Sequence, residues 1–189
     1  TMNRPRKSAP LIPKNLHIIT GEGSAALSDM QRLISDRWPG FGYTVVPVLV
    51  QGDKAPSQIV KAIEFAQKNA DLIIVGRGGG SPEDLWSFNL ESVCQAIIDC
   101  PVPVVSAVGH ESDFLVSDMI ADIRASTPSN AIERVIPVKD DLIAIIEQAH
   151  DRLDFAVTKI FVRQNERISN LTIRPVSYTH LTLPTTVIV

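Results

Sequence analysis

Cysteine is scarce: only Cys94 and Cys100 occur in the 189 residues. Two cysteines make no disulfide framework, which excludes a stapled secreted scaffold and predicts a reduced, buried pair. No apolar run approaches the ~18 residues of a membrane span. The N-terminus carries basic residues without an apolar h-region, so no secretory signal is legible and a cytoplasmic location is expected. An excess of positive charge is also missing, since 18 Lys and Arg against 21 Asp and Glu leave a net charge of −3. That excludes a uniformly basic nucleic-acid coat, but not a local basic groove. There is no GxxxxGK followed by Ser or Thr, and no GxGxxG in a useful register. A P-loop and a dinucleotide fingerprint are therefore excluded. What remains is an ordinary globular composition, 44% apolar and 21% charged, long enough for one domain and a small appendage.

Residues Thr1–Lys14 hold three prolines and four basic residues and read as an arm or linker, solvated or functional. Leu16–Thr20 predicts a strand, followed by Gly21-Glu22-Gly23-Ser24. Ser24 is a plausible N-cap for a helix whose Leu27, Met30, Leu33 and Ile34 share one face. A helix start attracts anions, so this turn could hold a phosphate. Asp29, taken alone, reads as a solvated helix aspartate. Tyr43–Val50 predicts a second buried strand, and Ala55–Asn69 an amphipathic helix with Ile59, Ala62, Ile63 and Ala66 inward.

Two stretches organise the rest. Leu72–Val75 and Val104–Val108 are continuous apolar runs, the pattern of fully buried strands. The first ends in Gly76-Arg77-Gly78-Gly79-Gly80-Ser81, the second in Gly109-His110-Glu111-Ser112-Asp113. Consecutive glycines let a ligand approach the backbone, and the Arg77 fork suits phosphate. Trp86 and Phe88 could stack on bases or seal the loop; sealing is the favoured reading. Glu91–Cys100 predicts a helix. His110 can move protons near neutral pH, and Asp113 could orient it or hold a water. Asp118 and Asp122 are expected four residues apart on one helix, with Arg124 as their candidate partner. Thr127 and Pro128 mark a short helix running to Val135. Loops at the carboxyl ends of neighbouring parallel strands share a crevice, which places Arg77, His110 and Asp113 around one site.

Lys139–Leu171 predicts one long helix. Its Leu142, Ile146, Ala149, Leu153, Ala156 and Ile160 alternate four and three apart, the spacing of a coiled-coil seam, which breaks at Arg163. Such a seam predicts a partner helix; folding back onto the domain is the alternative. The expected fold is α/β: a doubly wound, mostly parallel, Rossmann/flavodoxin-like sheet followed by a long C-terminal helix. The expected divisions are a linker at 1–15, the α/β domain at 16–136, and the long helix, opening a coiled-coil region, at 137–173. Residues 174–189 lack acidic residues and abandon the seam, and read as a cloning or read-through tail.

VGRGGGSPEDLWSFN followed by PVVSAVGHESDFLVSDMIADIRASTPSNAIE closely resembles the exodeoxyribonuclease VII large-subunit family. The similarity begins near Leu11 and extends to about Leu171. It departs at Gly21–Ala26, where the family runs nearer to SPTGAA. The resemblance implies hydrolysis of single-stranded DNA from either end to products with 5′-phosphates. It also implies an OB-fold before the catalytic domain and a helical region after it that carries several small subunits; this chain would then be a catalytic-domain fragment. The family's critical acid, arginine, histidine and second acid match Asp29, Arg77, His110 and Asp113. Ser24, Gly78, Gly79, Gly80, Ser81, Arg124 and Thr127 complete the expected phosphate and DNA contacts. Metal need stays open: one His and scattered carboxylates can support Mg²⁺, but no spacing demands it. Two other classes compete, a non-hydrolytic nucleotide- or phosphate-binding module and an assembly scaffold built on the long helix.

Overall fold

Three runs rich in Val and Ile become fully buried strands: β1 (Leu16–Thr20), β3 (Leu72–Arg77) and β4 (Val104–Val108). Branched side chains stand well on a pleated surface that is covered on both faces. The computed structural model describes residues 5–109 and 115–172. Two further strands, β2 (Tyr43–Pro47) and β5 (Ile123–Arg124), form the edges. All pairings are parallel and the order is β2-β1-β3-β4-β5. This is the flavodoxin-like doubly wound order, in which the winding reverses between β1 and β3.

Alternation along the strands divides the core in two. Leu16, Ile18, Leu72, Ile74, Val105 and Ala107 pack with α1 (Ala25–Arg37) and α6 (Pro128–Val135). Ile19, Ile73, Val75, Val104 and Val108 pack on the other face, under α2 (Ala55–Ala66) and α4 (Glu91–Asp99). The predicted inward faces of α1 and α2 are buried as expected, Leu33 only in part. Cys94 and Cys100 are buried, and neither is in a disulfide.

The structure differs from the sequence reading at several points. The second strand stops at Pro47 and is half-buried. It is an edge strand, and Pro47 has no N–H to continue a ladder. The third strand runs on through Gly76 to Arg77, so Arg77 is a strand residue and not part of the loop. Asp118 and Asp122 do not share a helix: α5 ends at Ile120, having begun at Val116. Asp122 instead accepts from the N–H groups of Val104 and Lys7, at 3.0 and 2.8 Å, and so supports the fifth strand that the sequence reading omitted. Finally, Trp86 and Phe88 part company. Both lie in the 3₁₀ turn Trp86–Asn89 after the short α3 (Pro82–Leu85), but Phe88 is buried and Trp86 is 63% exposed. Phe88 alone seals the loop.

The segment before β1 is tied down. Beyond its backbone bond to Asp122, Lys7 places its ammonium 3.9 Å from the same carboxylate and donates to the Cys100 carbonyl. Asp71 accepts from the N–H groups of Lys14 and Asn15 at 2.7 and 3.0 Å.

The chain divides into two compact units, Thr1–Leu142 and Ile143–Val189. The whole of the described part of the second unit belongs to the 34-residue helix α7 (Lys139–Thr172). Its seam residues Ile146, Leu153 and Ile160 are exposed, and so are Phe155, Phe161 and Val162 off the seam. No described helix is long and apolar enough to cross a membrane.

Candidate active site

Reversal of the winding separates the connections that follow β1 and β3, and in such sheets ligands bind at the carboxyl ends of the strands on either side of the reversal. The two loops approach closely there: a Cβ placed on Gly78 would stand 3.6 Å from the Cβ of Ala26, at the start of α1. Ser24 caps α1, its Oγ accepting from the Leu27 N–H at 3.2 Å. Gly78, Gly79 and Gly80 lead from β3 to α3. Ser81 caps α3 in a reciprocal box with Asp84, each side chain accepting the other's backbone N–H at 3.3 Å. Both Ser81 groups are thus engaged within the loop.

Arg77 ends β3 with its side chain 9% exposed. One guanidinium nitrogen, Nη2, donates to Gln51 Oε1 at 2.9 Å and faces Asp84 Oδ2 at 3.2 Å. The other terminal nitrogen, Nη1, is buried and has no hydrogen-bond partner among the described residues. Such a donor costs about 1–3 kcal/mol while unmet, so an acceptor brought by a ligand would find it ready. The guanidinium in turn holds the Asp84 carboxyl below its ordinary pKa, chiefly through their hydrogen bond. Gly80 is obligatory in this arrangement, because a Cβ there would lie 2.6 Å from Arg77 Nη2.

The next strand connects to the same place. Gly109 donates its N–H to the Arg77 carbonyl at 3.2 Å and adopts φ 83°, a left-handed conformation that favours glycine. His110 and Asp113 lie outside the described residues; in the chain His110 follows Gly109 directly.

On the far side of β4, Arg124 Nε stands 3.7 Å from Asp118 Oδ2, as the sequence pairing anticipated. Asp118 also accepts from Ser106 Oγ at 2.6 Å and from the Leu115 N–H at 3.3 Å. Thr127 caps α6, accepting from the Asn130 N–H at 3.1 Å. Asp29 sits apart from this framework in its contacts. It is exposed on α1 and pairs with Arg32 at 3.6 Å.

Sequence reasoning overlooked Gln51 and Asp84, which seat Arg77, and Ser106. Asp84 carried a usable signal, because Ser81-x-x-Asp84 is a capping-box pattern ahead of an apolar run. Gln51 and Ser106 carried none, since their roles follow from strand order. Among the described residues, no three or more His, Cys, Asp or Glu side chains converge as a metal site.

A family model described as "Exonuclease VII, large subunit" matches residues 2–184. The chain belongs to the exonuclease VII large-subunit family. Relatives named "Exodeoxyribonuclease 7 large subunit" agree. The Haemophilus influenzae protein is 42% identical over 171 residues, covering 89% of this chain and 39% of the relative. The Alkaliphilus oremlandii protein is 47% identical over 150 residues, covering 78% of this chain and 37% of its own length. A Staphylococcus aureus relative is 42% identical over 167 residues, with 88% and 38% covered. The chain thus spans roughly two fifths of the length of these curated relatives. Within the family match lie the glycine loop, Arg77 and the whole of the described sheet.

Proposed function

We propose that this domain hydrolyses phosphodiester bonds of single-stranded DNA, releasing products with 5′-phosphates, as the catalytic part of an exonuclease VII large subunit. The observation that carries the reading is Arg77. Its guanidinium is buried at the winding reversal and anchored through Nη2, while Nη1 stays unpartnered among the described residues, beside a glycine loop. A non-bridging phosphate oxygen supplies the acceptor that Nη1 lacks. A fork fixed on one side loses little freedom when it takes up that oxygen.

In this mechanism water attacks phosphorus in line with the departing 3′-oxygen. Arg77 and the N–H groups of the Gly78–Gly80 loop stabilise charge growing on the non-bridging oxygens. His110 either takes the proton from water or gives one to the 3′-oxygen, and Asp113 orients it or binds a metal. The Gly109–Arg77 backbone bond supports this assignment, because it ties the residue preceding His110 to the phosphate-binding arginine. Asp29, Ser24, Arg124 and Thr127 belong to the proposed DNA-contacting set. Small subunits are the proposed partners of α7, whose apolar side chains stand exposed along its described length. The two buried thiols, neither in a disulfide, fit a reducing, cytoplasmic setting.

The test is digestion of end-labelled single-stranded DNA against duplex, with Mg²⁺ and with chelator. It compares the native chain with His110→Ala, alone and joined to the remaining large-subunit and small-subunit parts. Short products from single strands are expected. His110→Ala should lower turnover by about 10²–10⁴-fold and leave DNA affinity nearly intact. Absence of cleavage even in the full assembly would overturn the reading. Equal loss of binding and turnover in the variant would remove His110 from catalysis.

A further inference from the structure

Arg77 and Arg124 stand on opposite sides of β4 and on the same face of the sheet. In register, Arg77 faces Val108 and Arg124 faces Ser106. Two strand spacings and a two-residue offset put their Cα atoms about 12 Å apart. Arg77 has the strand parity of Ile73 and Val75, which pack under α2 and α4. Ser106 has the parity of Val104 and Val108 on that face, and its hydroxyl holds Asp118 from α5. Two arginines therefore bracket the end of the strand that leads to His110.

Their anchoring differs in kind. Arg77 is seated by an amide and a partly exposed carboxylate. Arg124, with its side chain 32% exposed, leans on a carboxylate that is 1% exposed and buried under α5. That carboxylate is itself fixed from two directions, by Ser106 Oγ at 2.6 Å and the Leu115 N–H at 3.3 Å. Ser106 is fully buried. A buried acid held this firmly pairs electrostatically with Arg124 Nε across 3.7 Å and biases where the partly exposed guanidinium stands.

We infer that Asp118, oriented by Ser106, is a positioning residue that aims Arg124 at a second phosphate of the single strand bound at Arg77. This inference rests on the nuclease reading and adds a second backbone subsite, set by the Ser106–Asp118–Arg124 relay. Asp118 touches no DNA; it acts through Arg124.

Electrostatics makes the inference sharp, because the two explanations differ in sign. Deleting a negative charge near a DNA groove should tighten binding if charge alone matters. Deleting the carboxylate that aims Arg124 should weaken it. The experiment measures binding of a fluorescein-labelled oligothymidylate by anisotropy over a range of salt, for the native chain, Asp118→Asn, Ser106→Ala, Arg124→Gln and the Asp118→Asn/Arg124→Gln pair. Arg124→Gln should weaken binding about tenfold and reduce the slope of log affinity against log salt by about 0.7, the loss of one phosphate contact on a single strand. Asp118→Asn should do nearly the same, and the pair should be no worse than Arg124→Gln. Ser106→Ala should shift affinity in the same direction by a smaller factor, and its salt series decides the question if Asp118→Asn does not fold.

Unchanged or tighter binding by Asp118→Asn, with the native salt slope, would overturn the inference and leave the nuclease reading standing. So would independent, multiplicative losses in the double variant. Failure of the native chain, joined to the remaining large-subunit and small-subunit parts, to bind the oligothymidylate at any salt would overturn the nuclease reading and the inference with it.

Discussion

Gly80→Ala should silence the site through Arg77 without unfolding the domain. The backbone at Gly80 is outside the left-handed region, so alanine meets no conformational strain there. The conflict is with a neighbour: the new Cβ would lie 2.6 Å from Arg77 Nη2, 3.0 Å from its Cζ and 3.2 Å from Asp84 Oδ2. Ordinary contact needs about 3.5 Å, so the guanidinium must retreat by roughly 1 Å. Its bonds to Gln51 and Asp84 are 2.9 and 3.2 Å long, and a shift of that size carries at least one of them past the hydrogen-bonding range. Misplacing a positioning group by about 1 Å costs around 10²-fold in rate. Stability should fall only modestly. Losing a hydrogen bond of this buried guanidinium costs about 1–3 kcal/mol, and replacing glycine offsets about 0.4–1 kcal/mol of it through the unfolded chain. The assay is kcat/KM on end-labelled single-stranded DNA together with a thermal melt. Gly42→Ala is the control, because it lies outside the glycine loop and its Cβ would meet nothing within 4 Å. Full activity in Gly80→Ala, or equal damage from Gly42→Ala with both variants still folded, would refute the reasoning.

Acid sensitivity should trace in part to His17. It lies buried on β1, its Nδ1 has no partner among the described residues, and burial lowers its pKa below the ordinary 6.5 although Asp71 opposes the shift. Above pH 6.5 both folded and unfolded states hold it neutral. As pH falls below that value the unfolded chain takes up a proton that the folded chain refuses, so stability drops until the folded pKa is reached. His17→Phe should raise the melting temperature and flatten its fall as pH drops below 6.5; parallel melting curves for both proteins would exclude His17. On α7, Leu153 is 61% exposed on the predicted seam. Leu153→Asp should shift the melt of the sheet domain by no more than about 0.5 kcal/mol yet abolish co-sedimentation with the small subunit, and unchanged co-sedimentation would show that the seam is not the interface.

Much of the fold was legible because two inner strands, β3 and β4, begin as continuous apolar runs and each covering helix has a clean stripe. Leu72–Val75 and Val104–Val108 contain nothing that could face water except the small Ser106, so only a doubly covered position suits them. The edges were harder to read. A half-buried edge strand such as Tyr43–Pro47 uses the same residue types as a central one, and only the sheet order separates them. The two-residue strand Ile123–Arg124 has no periodicity at all. It forms because Asp122 caps the end of β4, a contact between residues 18 apart that local pattern cannot express. Trp86 and Phe88 make the same point in miniature. They are two residues apart in one turn, and the turn's rotation, not their chemistry, decides which one is covered.

The site was legible to the extent that its chemistry sits in unusual residues. An arginine among glycines at the end of a buried strand invites a phosphate reading from sequence alone. What sequence could not supply is the reason the arginine stays in place. Gln51 comes from the connection after β2 and Asp84 from the turn after the glycines, and they meet on Arg77 only because β2 and β3 flank β1 with their carboxyl ends on one side. Asp29 shows the opposite case. As an exposed helix aspartate paired with Arg32, it has nothing in its surroundings to single it out, and only the family resemblance does so. An exposed carboxylate with one surface ion pair resembles any other helix aspartate, so neither pattern nor burial marks it. A group that must be aimed while buried, like Arg77, leaves its supports written in the surrounding hydrogen bonds.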